Sequence, residues 1–387
     1  MTAAPPNLDQ VLTALAAALG GEGPAVELSA GPDGSPLARP VDVPGVEGAA
    51  VVVRTSGSTG TPKATVLTVD ALAASSMATA IALRGEGQWL LALPVQFVAG
   101  VQVLVRSLFA GTRPWAMDLS GGFTPEAFTA AAGELTDTLR YTSLVPTQLQ
   151  RLLDDPSAET LAALRRFNAV LLGGAPASAE LLAAAREAGV RVVTTYGSAE
   201  TSGGCVYDGV PLEGVEVAVD SDGRILLGGA TVAAGYLGEP DLTAEAFVER
   251  DGLRWYRTSD LGTLSPDGTL MVQGRADDVV ITGGVKVSAA HVQAELERLD
   301  SVRAAFVTGV PSAEWGQALA AYVVLTDGSE DAAADFRALL GSGTAGPLTG
   351  ALAPKTIHLA DDLLMLPNGK PDRLGMAVRL DALHQGK

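Results

Sequence analysis

The sequence Thr55-Ser56-Gly57-Ser58-Thr59-Gly60-Thr61-Pro62-Lys63 follows directly on an apolar run at residues 49–53. Hydroxyls and glycines at this density can offer many backbone and side-chain donors to one anion, which suits the phosphates of a nucleotide. The pattern differs from a Walker A loop, because Pro62 replaces the second glycine and Ala64 replaces the magnesium-binding Ser or Thr. A flexible linker would be oddly placed next to a buried strand. We therefore interpret the segment as a phosphate-binding loop.

Short apolar runs alternate with alanine-rich stretches from about residue 49 to residue 196. Alternation of strands and helices favours a parallel sheet that is covered by helices on both faces. The predicted strands are 49–53, 88–93, 169–172 and 191–195, and the predicted helices are 70–83, 147–153 and 179–188.

The sequence pattern changes after residue 213. Apolar runs flank Asp222-Gly223 and again Asp267-Gly268, and such pairs are typical of hairpin turns. The last stretch of about 110 residues mixes strands with a helix at 291–299. We predict an α/β protein with a large N-terminal domain, 1–276, that contains an antiparallel β subregion. A small, mobile α+β domain, 277–387, follows it.

The charge balance limits the class of partner. The chain has 44 acidic and 26 basic residues, for a net charge of -18. Such a chain repels phosphate backbones and anionic lipid, so we expect neither nucleic acid nor a membrane as partner. Cys205 is the single cysteine, and His291, His358 and His384 are widely scattered. We therefore expect no disulfide framework and no zinc site, and we interpret Cys205 as a packing residue.

The most apolar stretch, 89–105, contains Pro94, Gln96, Gly100 and Gln102. These residues favour two buried elements over a membrane span. The N-terminus lacks the positive region and the cleavage site of a signal peptide. The expected location is the cytoplasm.

Further motifs follow the loop in a fixed order, and together with it they cover nearly the whole chain. With them the sequence resembles the adenylate-forming superfamily, which contains acyl-CoA synthetases, luciferases and peptide-synthetase adenylation domains. The motifs are Gly173-Gly174-Ala175-Pro176, Tyr196-Gly197-Ser198-Ala199-Glu200-Thr201, Tyr256-Arg257-Thr258-Ser259-Asp260-Leu261-Gly262, Gly274-Arg275-Ala276-Asp277-Asp278 and Leu366-Pro367-Asn368-Gly369-Lys370.

The resemblance implies binding of ATP and Mg²⁺. Tyr196 would stack on adenine, with a packed core tyrosine as the alternative interpretation. Glu200 would act in catalysis as the ligand of a magnesium ion that bridges the phosphates. Asp260 would accept hydrogen bonds from the ribose hydroxyls, with Arg275 close by. The implied ATP/AMP site comprises Thr55, Ser56, Gly57, Ser58, Thr59, Gly60, Lys63, Gly174, Ala175, Thr195, Tyr196, Gly197, Asp260 and Arg275.

The resemblance also implies two half-reactions, separated by rotation of the small domain about a hinge at Asp277. Lys370 would be the catalytic cation of the first, in which the carboxylate attacks the α-phosphate. In the second, Gly283, Gly284 and Lys286 would line the path of coenzyme A. A surface charge is an equally acceptable interpretation of Lys286.

Two positions depart from the family pattern. Ala199 stands where relatives have the Thr or Ser whose hydroxyl contacts the α-phosphate. Either Thr201 or Ser198 replaces the lost donor, or adenylation is weaker than in those relatives. Phe97 stands where many relatives have histidine, and would form an apolar wall beside the acid. The predicted acid-binding residues are Phe97, Gly173, Gly203 and Gly204.

The abbreviated segment before the loop and the run 143–153 resemble compact o-succinylbenzoate–CoA ligases of menaquinone biosynthesis. The implied substrates are o-succinylbenzoate, ATP and coenzyme A, and a homodimer is one assembly to consider. Arg140 and Arg106 are candidates for binding the second carboxylate. Three alternatives stay open: another aryl- or acyl-CoA ligase, a free-standing adenylation enzyme that loads a carrier protein, and a degenerate nucleotide-binding module.

Overall fold

The computed structural model describes residues 7–31, 35–56, 62–341, 348–365 and 371–386. The chain divides into two compact units. The predicted fold class, a larger α/β domain and a smaller α+β domain, is confirmed. The boundary between residues 276 and 277 stays a prediction. The first unit comprises Met1–Ala218, Leu226–Thr258 and Leu264–Leu270, and the second comprises Val219–Ile225, Ser259–Thr263 and Met271–Lys387.

Helix starts follow ordinary capping chemistry. The side chains of Thr68, Thr124, Ser157, Ser178 and Ser288 each accept a hydrogen bond from a backbone N–H in the first turn of a helix. The helices are α1 (Leu8–Leu19), α2 (Val69–Ala82), α3 (Val98–Phe109), α4 (Pro125–Gly133), α5 (Pro146–Leu153), α6 (Ala158–Arg165), α7 (Ala179–Glu187), α8 (Pro240–Ala246), α9 (Ala289–Glu297), α10 (Glu330–Gly341) and α11 (Arg373–Gln385).

The strands, in chain order, are β1 (Ala25–Ala30), β2 (Pro36–Val41), β3 (Ala49–Ser56), β4 (Pro62–Thr68), β5 (Gln88–Leu91), β6 (Trp115–Ala116), β7 (Arg140–Leu144), β8 (Ala169–Leu172), β9 (Val192–Ser198), β10 (Gly203–Tyr207), β11 (Val210–Pro211), β12 (Val215–Val219), β13 (Arg224–Gly229), β14 (Gly235–Tyr236), β15 (Phe247–Arg250), β16 (Leu253–Leu264), β17 (Leu270–Arg275), β18 (Val279–Thr282), β19 (Val285–Ser288), β20 (Val302–Ser312), β21 (Gly316–Leu325) and β22 (Thr356–Leu359).

The central sheet of the first unit has the order β11-β10-β9-β8-β7-β5-β6. Its strands from β9 to β6 are parallel, and β10 and β11 are antiparallel additions at one edge. Leu90 of β5 packs into the core formed with α4 to α7. The adjacent Trp89 lies against Arg106 of α3. Since neighbouring residues of a strand point to opposite faces, helices cover both faces, as predicted.

The strand that precedes the phosphate loop lies in another sheet. The order of this sheet is β14-β4-β3-β1-β2, and β3 pairs with β4 in antiparallel register from Ala49↔Thr68 to Ser56↔Pro62. The prediction that 49–53 belongs to the parallel sheet is therefore wrong. An apolar run shows that a strand is buried but not which strand it pairs with, and here residues 57–61 connect two neighbouring antiparallel strands.

The run 89–105 forms the end of β5 and most of α3, so the prediction of two buried elements is confirmed. No helix in the described ranges is both long and apolar enough to cross a membrane. Cys205 is buried in β10, and burial raises the pKa of its thiol to about 12. The thiol therefore stays protonated at neutral pH, which agrees with the interpretation as a packing residue.

The region after residue 213 contains the predicted antiparallel pairing, since β15 pairs antiparallel with β16. One sheet has the order β12-β13-β16-β15, with β17 beside β16. In its first turn the Asp220 carboxylate accepts from the backbone N–H of Asp222 and Arg224. In its second, the Gly268 N–H donates to the Ser265 carbonyl.

The second unit is built on a sheet of order β19-β18-β21-β20, in which β22 pairs parallel to β21. Val292, Leu296 and Phe336 of α9 and α10 belong to one apolar core of this unit. Met376 and Leu380 of α11 belong to a second core. The unit therefore has its own buried interior.

Candidate active site

Predicted nucleotide residues lie at the carboxyl end of the parallel sheet. Gly173 follows β8 directly, and Thr195, Tyr196 and Gly197 are late residues of β9. Parallel strands place their carboxyl ends at one edge, where open α/β sheets bind ligands. A Cβ atom built on Gly173 would lie 2.4 Å from the Thr195 hydroxyl oxygen, so these two predicted residues are immediate neighbours.

The turn from β9 to β10 requires glycine. Gly197 has φ 155°, and a Cβ built on it would lie 2.2 Å from the carbonyl oxygen of Gly203. A Cβ on Gly203 would lie 3.2 Å from Cγ of Gln102, and one on Gly204 would lie 3.1 Å from Cβ of Thr195. The two predicted acid-site glycines thus allow β10 to pack closely against α3 and β9.

Phe97 lies next to this packed region. It is the N-cap residue of α3 and is half-buried. Its neighbour Val98 would be 3.9 Å from a Cβ on Gly203. The structure therefore brings the beginning of α3, the β9–β10 turn and the end of β8 into one neighbourhood, and these elements carry all four predicted acid-binding residues.

Glu200 occupies a short 3₁₀ turn, Ala199–Thr201, and is only 6% exposed. The Tyr236 hydroxyl donates a 2.9 Å hydrogen bond to its Oε1 atom. Burial, followed by the negative charge of Glu200, raises the pKa of Tyr236 well above its ordinary value. The tyrosine is therefore a neutral donor at physiological pH, and it holds the carboxylate in one orientation.

Tyr236 also lies beside Lys63 of the phosphate loop. The Lys63 Nζ atom is 5.1 Å from the centroid of the Tyr236 ring, within the range of a cation–π contact. Antiparallel pairing of β14 with β4 sets this arrangement, because Tyr236 pairs with Thr65. Our sequence analysis did not identify Tyr236. The available signal was an aromatic residue between glycines in Gly235-Tyr236-Leu237-Gly238.

The two substitutes considered for the hydroxyl missing at Ala199 differ in the structure. Thr201 is fully buried, and its hydroxyl accepts from the Ser198 N–H at 2.9 Å and donates to the Gly203 carbonyl at 2.8 Å. It is therefore committed to the turn. The Ser198 Oγ atom is buried and makes no hydrogen bond with the described part of the chain. Of the two, Ser198 is the one whose hydroxyl the described residues do not engage, although it is buried in this arrangement.

The phosphate loop itself is described only at its ends. Thr55 and Ser56 close β3, and Thr55 pairs with Lys63 across the β3–β4 ladder. Gly57, Ser58, Thr59 and Gly60 lie outside the described residues, as does Lys370. Gly174, which has φ 83°, and Ala175 follow β8 in the segment before α7.

The second unit contains the remaining predicted residues. Asp260 on β16 and Arg275 on β17 form an ion pair, with 3.8 Å between Oδ1 and Nη1. Asp277 lies in the 3₁₀ turn Ala276–Asp278, directly before β18. The two residues predicted to lie at the ribose are thus brought together inside this unit.

The predicted coenzyme A residues form the β18–β19 hairpin of the same unit. Gly283 and Gly284 have φ values of 56° and 82°, and Lys286 is exposed. The Gly283 N–H donates to the Trp315 carbonyl, and Trp315, at 40% exposure, is one of several exposed apolar residues around the hairpin. The surface thus combines apolar side chains with the cation of Lys286 and with that of Lys355, whose Nζ atom lies 5.5 Å from the centre of the Trp315 ring.

The arginines considered for a second carboxylate lie at the other end of the parallel sheet. Arg140 begins β7, and its Nε atom donates to the Asp137 carbonyl. Burial, followed by the charge of Arg166, lowers the pKa of Arg140. Arg106 lies against Trp89, near the beginning of β5. Both thus lie at the amino ends of the parallel strands, opposite the edge that carries Gly173 and Tyr196.

Comparison with known proteins identifies the family. Residues 6–237 match the model of the AMP-binding enzyme family, and residues 291–370 match its C-terminal domain. The chain belongs to the AMP-binding enzyme family. The resemblance to adenylate-forming enzymes is thereby confirmed. The first match covers the phosphate loop and Glu200, the second covers Lys370, and Asp260 and Arg275 lie between them.

Relatives within this family include acid–CoA ligases. The chain is 43% identical over 332 residues to a probable 2-succinylbenzoate–CoA ligase of Mycobacterium tuberculosis, covering 85% of this chain and 84% of the relative. It is 32% identical to a feruloyl-CoA synthase of an Amycolatopsis species, covering 94% and 76%. Among solved structures, the o-succinylbenzoate CoA synthetase (MenE) of Bacillus subtilis in complex with the acyl-adenylate OSB-AMP has a TM-score of 0.71 at 25% identity, covering 88% and 72%.

Proposed function

We propose that the chain joins o-succinylbenzoate to coenzyme A through an acyl-adenylate, with release of AMP and diphosphate. The 43% identity to the mycobacterial 2-succinylbenzoate–CoA ligase, over most of both chains, is the observation that carries this proposal. The likeness to the B. subtilis enzyme that holds OSB-AMP supports it.

In the first half-reaction a carboxylate oxygen of the acid attacks the α-phosphorus of ATP. A new P–O bond forms to the acid, and the bond to the β-phosphate oxygen breaks, so that diphosphate leaves. Negative charge develops on the phosphate oxygens, and preorganised donors lower the barrier most when they are aimed at this charge. We assign this work to Lys63, to Ser198 and to Lys370.

Glu200 fits the proposed role of magnesium ligand. Its Oε1 atom is fixed by Tyr236, while Oε2 accepts no hydrogen bond from the described residues. A hard cation prefers such a carboxylate oxygen. When bound there, Mg²⁺ would neutralise phosphate charge. The Tyr236 hydroxyl holds the Glu200 carboxylate in one rotamer, and the Tyr236 ring keeps the Lys63 ammonium group nearby.

Adenine and ribose would be held by different parts of the chain. Tyr196 would stack on the base at the carboxyl end of β9, beside Gly174, Ala175 and Gly197. Asp260 would accept from the ribose hydroxyls, and its ion pair with Arg275 fixes the orientation of its carboxylate. The acid would lie near Phe97, at the beginning of α3.

In the second half-reaction the thiolate of coenzyme A attacks the acyl carbon. A thioester bond forms, the bond to the AMP oxygen breaks, and AMP leaves. The exposed hairpin with Gly283, Gly284 and Lys286 is the proposed contact for the pantetheine arm, since its glycines allow close approach to backbone. Asp277 is the proposed hinge between the two arrangements. A cytoplasmic location is part of the same proposal, as ATP and coenzyme A are its substrates.

A second candidate is an aryl-CoA ligase for acids without a second carboxylate. The feruloyl-CoA synthase relative, which this chain matches over 94% of its length, favours this candidate. The preferred acid distinguishes the two candidates. A site that binds the second carboxylate of o-succinylbenzoate rejects acids that lack this group.

The test is a substrate panel with purified protein, ATP, Mg²⁺ and coenzyme A. We expect kcat/KM for o-succinylbenzoate to exceed that for ferulate, benzoate and octanoate by on the order of a hundredfold. Thioester and AMP should form in equal amounts. Preference for ferulate would favour the second candidate, and AMP formation without thioester would favour the loading of a carrier protein.

A further inference from the structure

The segment between β13 and β14, together with the start of β14, contacts Glu200 at two points. The Ala233 N–H donates to the main-chain carbonyl of Glu200 at 2.9 Å. Three residues later, the Tyr236 hydroxyl donates to the Glu200 carboxylate. The position of residues 233–236 therefore sets both the backbone and the side chain of the proposed magnesium ligand.

Arg254 of β16 binds this segment through its guanidinium group. Its Nε atom donates to the Ala233 carbonyl at 3.0 Å, and its Nη2 atom donates to the Ala234 carbonyl at 2.6 Å. Ala233 is fully buried and lies outside the strands, so its carbonyl needs a partner from elsewhere in the chain. One planar group thus spans two consecutive carbonyls with donors in a fixed fork, a geometry that an ammonium group does not reproduce.

The guanidinium of Arg254 is itself held in place. Its Nη1 atom donates to Oε1 of Glu249 at 3.1 Å, and Glu249 is the cross-strand partner of Arg254 in the β15–β16 ladder. Its central carbon lies 5.1 Å from the centre of the Phe247 ring. The side chain is 32% exposed, so solvent screens its charge. The contribution of Arg254 is therefore the geometry of its donors rather than its net charge.

We propose that Arg254 is a positioning residue for the Glu200 carboxylate, which acts through residues 233–236 and contacts neither ATP nor the metal. The inference rests on the proposed role of Glu200 as magnesium ligand. Arg254 lies outside the motif residues assigned above to adenine, ribose, acid and coenzyme A. Its loss should therefore weaken the binding that depends on magnesium and leave the other nucleotide contacts intact.

The test compares Arg254→Met with the wild-type protein by isothermal titration. The affinity for Mg·ATP should fall by on the order of tenfold, because residues that orient a ligand carboxylate typically contribute that much to metal affinity. The affinity for AMP in the presence of EDTA should stay unchanged. Unchanged Mg·ATP affinity in a folded Arg254→Met would overturn the proposal. Equal losses of both affinities would also overturn it, since they would show a general structural role.

Arg250→Met is the matched control, because Arg250 of β15 is exposed and lies 3.6 Å from the Asp251 carboxylate. It should bind Mg·ATP and AMP as the wild type does. Should Arg254→Met not fold, Arg254→Lys decides. It keeps the charge without the fork, and should show the same selective loss of Mg·ATP affinity, by roughly threefold to tenfold.

The combination of Arg254→Met with Tyr236→Phe tests the route of the effect. Because both side chains act on the Glu200 carboxylate, the double variant should bind Mg·ATP little more weakly than the weaker-binding single variant. Losses that multiply would show that Arg254 acts elsewhere, and would overturn the proposal. If the wild type binds Mg·ATP but forms no o-succinylbenzoyl thioester, the proposed function fails, while these affinities still decide the role of Arg254. Absence of Mg·ATP binding to the wild type would overturn both.

Discussion

Tyr236 connects two motifs that are 137 positions apart, since it donates to Glu200 and lies under the ammonium group of Lys63. Its ring also packs edge-on against Phe247 at 5.3 Å. The ring and the hydroxyl therefore have separable roles. The ring fills the core, and the hydroxyl orients the carboxylate proposed to bind magnesium.

Tyr236→Phe tests this separation. The ring contacts should persist, while Glu200 loses its only described donor. A hydrogen bond to a charged group contributes about 1.5–3 kcal/mol, so we expect the magnesium and ATP requirements to rise together by roughly tenfold or more. Isothermal titration with Mg·ATP measures the affinity independently of turnover. Tyr141→Phe, another buried tyrosine, at the opposite edge of the sheet, is the control and should leave this affinity unchanged. Unaltered ATP affinity in Tyr236→Phe would contradict the role.

Ser198 and Thr201 make a matched pair for the hydroxyl missing at Ala199. Because the Ser198 hydroxyl makes no hydrogen bond with the described residues, Ser198→Ala should leave Tm unchanged while the rate of acyl-adenylate formation falls by roughly tenfold to a hundredfold. Thr201→Val should instead destabilise the fold by about 1–3 kcal/mol, since it leaves the Ser198 N–H unpaired. Diphosphate release and thermal unfolding measure the two effects. Normal diphosphate release in Ser198→Ala would exclude the serine as the substitute donor.

At the scale of elements, the junction of β9 and β10 positions the candidate site. Tyr196 is on the incoming strand, Glu200 is in the turn, and the acid-site glycines begin the outgoing strand. The β9–β10 ladder pairs Gly197 with Gly204, and the strands approach this closely because Gly197 has no Cβ. A change that separates β9 from β10 therefore displaces the residues assigned to adenine, to the magnesium on the phosphates and to the acid.

The substitution Gly197→Ala should separate strands β9 and β10. Its Cβ has no space and its φ suits glycine, so we expect a loss of roughly 2–4 kcal/mol of stability together with loss of adenylation. Gly111→Ala is the control, because Gly111 also has a positive φ, 65°, but no atom within 4 Å of its built Cβ. It should cost only about 1 kcal/mol and keep activity. Denaturant unfolding measures the stability of both variants, and AMP release measures their activity. Equal losses in Gly197→Ala and Gly111→Ala would show that backbone strain, and not displacement at the strand junction, causes the effect.

At the scale of the whole molecule, the proposal assigns the two half-reactions to different residues of the second domain. Lys370 serves the attack on the α-phosphate, and Lys286 serves the approach of coenzyme A. Lys370→Ala should slow acyl-adenylate formation by roughly a hundredfold to a thousandfold, yet convert supplied acyl-adenylate to thioester at a near-normal rate. Lys370→Arg should restore little, because a planar guanidinium does not replace a compact ammonium.

Lys286→Ala provides the reciprocal control for this experiment. It should form acyl-adenylate normally and show a raised KM for coenzyme A. Single-turnover assays of each half-reaction separate the two effects. If the rates of both half-reactions fell equally in Lys370→Ala, the lysine would have a structural role. Rotation about Asp277 would then not explain how the two half-reactions use different residues.

Features that depend on neighbours along the chain could be predicted from the amino-acid sequence. The hairpin turns at Asp222-Gly223 and Asp267-Gly268, the bounds of β8 and the start of α7 were predicted, because turn chemistry and capping act within a few residues. The order of the motifs also indicated the family, since each short motif requires particular residue types at fixed spacing.

Contacts between residues that are distant along the chain became visible in the folded structure. It placed β3 in a separate sheet, set Tyr236 between Glu200 and Lys63, and put Arg106 and Arg140 at the amino ends of the parallel strands. It also showed that the Thr201 hydroxyl donates to the Gly203 carbonyl, while the Ser198 hydroxyl has no partner among the described residues. Strand pairing and side-chain contacts join residues that are far apart along the chain. The residues next to an apolar run or a tyrosine therefore do not specify which distant partner it contacts.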